Sequence, residues 1–347
     1  MKTKLARHRW WVARTLVLPV HIIGFAIAAF FLVRLLPGDP VLARMDTTNG
    51  FSQGDYDRMA ESMGLDGSIW SQLTTFVGRL LHFDLGISAT TNQPVWQEIM
   101  TRLPATLELI FLGLAGAVIV TLALALLSVS TTNKRVQRPL RFYANLTGAL
   151  PDFAVAILGI VVFYVVLQVV PAPIGRVNAG EHMPLVTGFP LLDTVLTGRL
   201  DVFFSMSAHY ALPILVIVFI HASGLWRQLR LGLVEQIEDP ATLFKIASGA
   251  TRRSVYSSVL RRASASSIVM LGAKFGALLG GVIVLEQLFG FGGVGQFSID
   301  AVNSLDFLGL QGFLIVIAAL CLITFFVVDL VNMMLDPRRR PGLKADA

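Results

Sequence analysis

Residue types that could carry chemistry are sparse in this sequence, and their spacing excludes most reactions. The six histidines (His8, His21, His82, His182, His209 and His221) are scattered and show no metal-ligand spacing. There is no H-E-x-x-H zinc motif, no G-x-S-x-G nucleophile turn, and no G-x-x-x-x-G-K-[ST] loop whose backbone amides would cradle phosphate. No catalytic residue, cofactor site or metal site is expected, and the chain does not itself hydrolyse ATP. One cysteine, Cys321, excludes an intramolecular disulfide. His21 and His221 lie inside apolar runs, where an imidazole either hydrogen-bonds a neighbouring helix or lines a water-filled route.

Charges inside apolar runs are the next candidates, because ionisable groups at membrane depth are costly and are retained for function. Lys274 sits roughly opposite a stripe of small residues, Gly272, Gly276 and Gly280, with Ala273, Ala277 and Gly281 beside them. Such a stripe lets another helix approach closely. An unpaired lysine at mid-bilayer costs about 2.5–3.5 kcal/mol on insertion scales. Lys274, however, lies only about seven residues, roughly 10 Å, inside its run. It either snorkels to the nearer surface, or lines a pore or joins an ion pair. Asp329 poses the same choice near the end of the last run.

These side chains have to be positioned by membrane helices. Hydrophobic residues make up 54% of the chain and charged residues 14%, against roughly 25% charged in soluble domains. The mean hydropathy is +0.69, and the 30 glycines also suit membrane helices. Six runs are long enough to cross a bilayer, which takes about 20 helical residues. They are Thr15 to Leu36, Ala105 to Val129, Phe142 to Val170, Ala208 to Trp226, Ser267 to Phe289 and Leu310 to Leu335. The fold expected is therefore an all-α polytopic membrane protein, a single domain over 1–347 with core helices in 104–335. Lys2, Lys4, Arg7, Arg9 and Arg14 before the first run resemble a signal peptide. That run continues past its Ala26-Ile27-Ala28 site, so it reads as an uncleaved anchor.

Charge alternates across these runs, and basic loops stay in the cytoplasm. Segment 1–14 has five Lys/Arg and no acid, and Lys134, Arg135, Arg138 and Arg141 precede the third run. Segment 227–266 has seven basic residues against three acids, and tail 336–347 carries Arg338, Arg339, Arg340 and Lys344. By contrast, 37–103 holds four arginines and eight acids. Both termini and 227–266 are thus expected in the cytoplasm and 37–103 outside. The net charge of +6 is read as this loop asymmetry, with membrane lipid and not nucleic acid as its counterpart. Within the external segment, Tyr56 to Met63 and Ile69 to Phe83 are expected as helices. The second either lies on the outer leaflet or forms a surface for a delivery protein or a gate.

Inside the basic segment 227–266, the stretch Asp239 to Arg262 has a distinct pattern. Asp239 before Pro240 reads as an N-cap followed by proline at the first helical position. Leu243, Phe244, Lys245, Ile246 and Ala247 follow, and Gly249 is placed to stop the helix. A helix this short does not hold itself together in water, so its apolar side chains need cover. Either another protein covers them, with Arg252 and Arg253 at the rim, or they bury against this subunit while the arginines bind lipid headgroups.

A series of short motifs runs in order through nearly the whole chain. Pro37-Gly38-Asp39-Pro40 closes the first span, and Met63-Gly64-Leu65-Asp66 and Asp84-Leu85-Gly86-Ile87-Ser88 follow. Arg102-Leu103-Pro104-Ala105-Thr106-Leu107-Glu108-Leu109 enters the second span, and Leu150-Pro151-Asp152-Phe153 lies in the third. Glu286 to Phe289 and Gly293 to Gly295 form an E-x-x-F and a G-x-G after the fifth. Asp329 and Asp336-Pro337-Arg338 close the series. In these motifs and their order the chain resembles the inner-membrane permease subunits of bacterial ABC importers of the oligopeptide, dipeptide and nickel type.

The resemblance implies a pore-forming subunit that pairs with a homologous second permease. It further implies two cytoplasmic ATP-binding cassette subunits, which bind the ATP and magnesium, and an extracytoplasmic solute-binding protein. The coupling loop of the wider superfamily falls on Leu243 to Gly249, a cytoplasmic coupling helix between spans four and five. Gly272, Gly276, Gly280, Lys274 and Glu286 are the expected helix-packing or pore residues. Departures from the family pattern fall at Lys245, where a small residue is expected, at Met270 and Gly292, each in place of a proline, and at Leu305 and Leu308, the first and last positions of an R-D-[YF]-P element. A secondary, ion-coupled carrier is the alternative class; it would want carboxylates or histidines deep in the spans, whereas most acids here lie at span ends. A membrane-embedded enzyme would need a catalytic pair that the sequence lacks.

Overall fold

The computed structural model describes residues 9–45, 52–131 and 133–335. The basic residues expected at positions 2, 4 and 7 and the tail 336–347 lie outside these. Among the described residues five helices are long and apolar enough to cross a bilayer, and a bent pair supplies a sixth crossing if counted as one. In chain order the main helices are α1 (Arg9–Val33), the short α2 (Pro40–Arg44), α3 (Gln53–Ser62) and α4 (Ile69–Leu81), then α5 (Val95–Ser130), α6 (Lys134–Ala149) and α7 (Asp152–Gly159). They continue as α8 (Pro190–Leu196), α9 (Leu200–Glu238), α10 (Pro240–Ala247), α11 (Arg252–Phe289), α12 (Val294–Asn303) and α13 (Phe307–Leu335). Among the described residues the only bridge of β type is Ile87 to Pro94, in a loop.

The expected third span, Phe142 to Val170, is not one straight helix. Its first part belongs to α6, and the chain turns by 109° before α7, which continues as a π-helical segment over Ile160–Val166. The cause is local. Leu150 is extended (φ −98°, ψ 130°) because the ring of Pro151 disfavours the helical region for the residue before it. Asp152, with its acid at a helix N-terminus, then starts the new helix. The α6 helix keeps Lys134, Arg135, Arg138 and Arg141 on its polar side and buries Leu140, Ala144 and Thr147.

Helices α9 and α11 run well beyond the expected spans 208–226 and 267–289. At 39 and 38 residues they are close to 60 Å long by the helical rise of ~1.5 Å per residue, about twice the hydrocarbon thickness. Most of 227–266 is therefore helix, not loop. The two extensions pack together through Trp226, Leu229, Leu233, Val259 and Ala263, against Ala125, Leu140 and Ala144 of α5 and α6. They approach so closely that a Cβ on Gly232 would lie 2.9 Å from the Ala263 carbonyl oxygen.

The membrane core joins α5, α9 and α11 through Leu109, Ile110, Leu114, Met206, Val216, Ile217, Leu278 and Val282, all buried. Two glycines of the small-residue stripe on α11 lie against α13. A Cβ on Gly272 would meet Val328 Cγ2 at 2.3 Å, and one on Gly276 would meet Phe325 Cζ at 3.1 Å, so both glycines admit α13. Gly280 has nothing within 4 Å of that position and does not serve this contact.

Outside the core, α3 carries a capping box between Ser52 and Asp55, whose hydrogen bonds hold the Asp55 carboxyl below its ordinary range. Helix α4 buries no residue fully and exposes Trp70 and Leu81. It rests on the end of α1, with Gln72 accepting from Arg34 Nη2 at 2.9 Å and Phe76 5.4 Å from Phe30.

Candidate functional site

The element with the clearest geometry for work on another molecule is α10, held at the tip of the α9 and α11 extensions. Asp239 caps it, its carboxylate accepting from Ala241 N at 2.9 Å, and Pro240 occupies the first helical position. Termination follows the two-bond pattern of a helix C-cap. Ala250 N donates to Lys245 O at 3.1 Å and Gly249 N to Ile246 O at 3.0 Å, with Gly249 left-handed at φ +75°. Thr251 then caps α11 by accepting from Ser254 N at 3.4 Å.

One face of α10 is fastened down. Thr242 is the buried residue of the helix, and its hydroxyl donates to Gln236 O at 2.7 Å. Arg262, from the first turns of α11, donates to the same hydroxyl and lies 3.2 Å from Asp239 Oδ1. A half-exposed ion pair alone is worth about 0.2–1 kcal/mol. Here it acts with a buried hydroxyl and a backbone carbonyl, which together tie α9, α10 and α11 to one another. Arg262 and Thr242 were not anticipated as partners. Twenty residues separate them, and no sequence periodicity connects side chains on two different helices.

The other face is bare. Phe244 is 74% exposed and Leu243 and Ile246 are each 54% exposed; Pro240, Lys245, Ala247, Gly249, Arg252 and Arg253 are also exposed. Among the described residues none covers these apolar side chains, and Thr242 is the one buried residue of the helix. Leu243, Phe244 and Ile246 thus lie exposed on a helix that also exposes Lys245, with Arg252 and Arg253 exposed at the start of α11.

Glu286, expected at a helix-packing or pore position, has its carboxylate at the start of α12. It is fully buried and accepts from Gly295 N at 2.7 Å, from Gln296 N at 3.2 Å and from the Thr106 hydroxyl. Thr106 Oγ1 in turn accepts from Val294 N at 2.9 Å. Carboxylate and hydroxyl together satisfy the free amides at the start of α12. A Cβ on Gly293 would lie 2.0 Å from Glu286 Oε1, so only glycine fits beside the carboxylate. Glu108 does the same for α8, accepting from Leu191 N and Leu192 N at 2.9 and 3.1 Å. Asp306 does so at the start of α13, accepting from Gly309 N at 2.9 Å and from the Ser88 hydroxyl. Three acids that hydropathy alone marks as anomalies are helix caps.

The family departures also find local reasons. Met270 lies inside the unbroken helix α11, where a proline would remove a backbone hydrogen bond. Gly292 has φ +60°, which proline's fixed negative φ forbids. Leu305 is itself at φ +55°. Its side chain would lie 2.8 Å from a Cβ on Gly38, and that of Leu308 3.0 Å from one on Gly86. These leucines fill space left by Gly38 and Gly86. Lys245 sits at the exposed rim of α10. Lys274 is half-buried beside α9, its Nζ 3.8 Å from where a Cβ on Gly224 would sit.

Residues 117–341 match the family described as "Binding-protein-dependent transport system inner membrane component". The chain is 34% identical over 336 residues to "Probable D,D-dipeptide transport system permease protein DdpB" of Escherichia coli K12, covering 96% of each chain. It is 30% identical over 330 residues to "Dipeptide transport system permease protein DppB" of the same organism, covering 94% of this chain and 96% of that one. Against "Di/tripeptide transport system permease protein DppB" of Pseudomonas aeruginosa UCBPP-PA14 it is 31% identical over 327 residues, covering 91% and 94%. This chain belongs to the family of inner-membrane components of binding-protein-dependent transport systems.

Proposed function

We propose that this chain is the pore-forming permease subunit of an ATP-driven importer that takes peptides or similar small solutes from an extracytoplasmic binding protein. The observation that carries the reading is α10, clamped on its polar face and bare on its apolar one. The names of the relatives, which concern dipeptide transport, support the cargo class. No observation favours an ion-coupled carrier.

In this reading both termini, α10 and the basic loops face the cytoplasm, as the charge asymmetry requires, and the segment 37–103 faces outside. A homologous second permease completes the pore, and two ATP-binding cassette subunits hold ATP and magnesium. Leu243, Phe244 and Ile246 enter a groove on one of those ATPases, while Lys245, Arg252 and Arg253 meet its rim. When the ATPases close, they pull on α10. The Arg262–Asp239–Thr242 clamp passes the pull to α9 and α11, and the helix groups rock between inward-open and outward-open states. The polar bend between α6 and α7 gives the third span a place to flex.

Proteoliposomes containing this chain alone are expected to show no ATP-dependent peptide uptake. Adding the second permease, the ATPases and the binding protein should produce it. Robust uptake by the isolated chain would overturn the heteromeric reading.

A further inference from the structure

Three ionisable side chains from three helices meet at one level of the bundle: Asp152 in the first turn of α7, His221 on α9 and Lys274 on α11. His221 Nε2 lies 3.3 Å from Asp152 Oδ2, without the alignment of a directed hydrogen bond, and its Nδ1 is buried with no partner. The imidazole is 7% exposed and the Asp152 side chain 34%. Lys274 reaches the same level past Gly224 and closes no ion pair among the described residues. Thr147, on α6, donates to Ser223 of α9 at 2.6 Å, and Arg227 Nη2 of α9 lies 3.7 Å from a Cβ position on Gly148.

A carboxylate and an ammonium group that remain partly exposed at this depth are costly to place against lipid. They face a water-filled route or a neighbouring subunit. Two opposite charges left unjoined, with one side open, complement a molecule that carries both signs.

We propose that Asp152 and Lys274 form a transient binding site for zwitterionic cargo at the cytoplasmic end of the translocation route. Lys274 takes the carboxylate of a free peptide, Asp152 takes its ammonium group, and His221 is a positioning residue that braces Asp152 from behind. The site rests on the peptide-importer reading given above.

The test uses the complete importer and a dipeptide carrying a diazirine side chain, photolysed during ATP-driven uptake. Adducts are expected in the first turn of α7 or on α11 around Lys274. Lys274→Gln should reduce them about tenfold or more, the effect of losing a charged hydrogen bond, and Lys274→Arg should restore them. The adduct on the binding protein should be the same in all three forms. Uptake with adducts confined to other parts of the chain, or with equal yields in wild type and Lys274→Gln, would overturn the site and leave the importer reading intact. Absence of any dipeptide uptake by the wild-type complex would overturn both.

Discussion

Phe244→Asp should lower ATP-driven uptake by the assembled importer at least tenfold while leaving the subunit folded and inserted. Phe244 is 74% exposed, so a carboxylate there meets water in the free subunit and removes no internal contact. At a partner's surface the same side chain would be desolvated, and truncating a central aromatic anchor typically costs about 2 kcal/mol or more. That alone exceeds the 1.4 kcal/mol of a tenfold change, and the added charge increases the loss. Reconstituted uptake and co-purification of the ATPases both read this effect. Leu243→Asp and Ile246→Asp, at 54% exposure each, should act in the same direction and less strongly. Uptake unchanged in all three variants would show that this face of α10 binds nothing needed for transport.

Glu286→Ala should have the largest effect on folding. The substitution strips Gly295 N, Gln296 N and the Thr106 hydroxyl of their acceptor in a fully buried site. Each orphaned buried donor costs about 1–3 kcal/mol, so the total is several kcal/mol, and the apparent melting temperature in detergent should fall by roughly 5 °C or more. Glu286→Gln keeps one acceptor but turns an amide NH2 toward backbone donors, and should fall in between. Thermal denaturation and transport measured on the same samples separate a cap from a pore charge. A Glu286→Gln form that melts like wild type yet fails to transport would contradict the capping role.

Much of the architecture is legible in the apolar runs, since six long hydrophobic segments leave few alternatives and turn residues mark the ends of α10. Asp239, Pro240 and Gly249 announce that helix because capping is a local matter of a few adjacent residues. The bend at Leu150 and Pro151 is less visible, because hydropathy runs smoothly across it from Phe142 to Val170. The signals lay in the basic residues up to Arg141 and in the proline. Helix extensions such as Arg227–Glu238 escape a hydropathy reading for the opposite reason, being polar overall with a narrow apolar stripe at Leu229 and Leu233. Long-range pairings are least legible of all. Arg262 with Thr242, Glu286 with Gly295 and Thr106, and Asp152 with His221 depend on helices brought together by folding. Glu286 illustrates the consequence: an acid beside an apolar span reads as a pore residue until the amides it caps come into view.

Phe244→Cys, combined with single cysteines placed around a surface groove of the co-expressed ATPase, gives the most direct measurement of whether α10 is a docking element. A disulfide or short-crosslinker product should form at one cluster of positions, and its yield should change when ATP is added, because closure of the ATPases moves the groove. No crosslink at any position, together with full transport by Phe244→Asp, would mean that α10 does not couple this subunit to an ATPase.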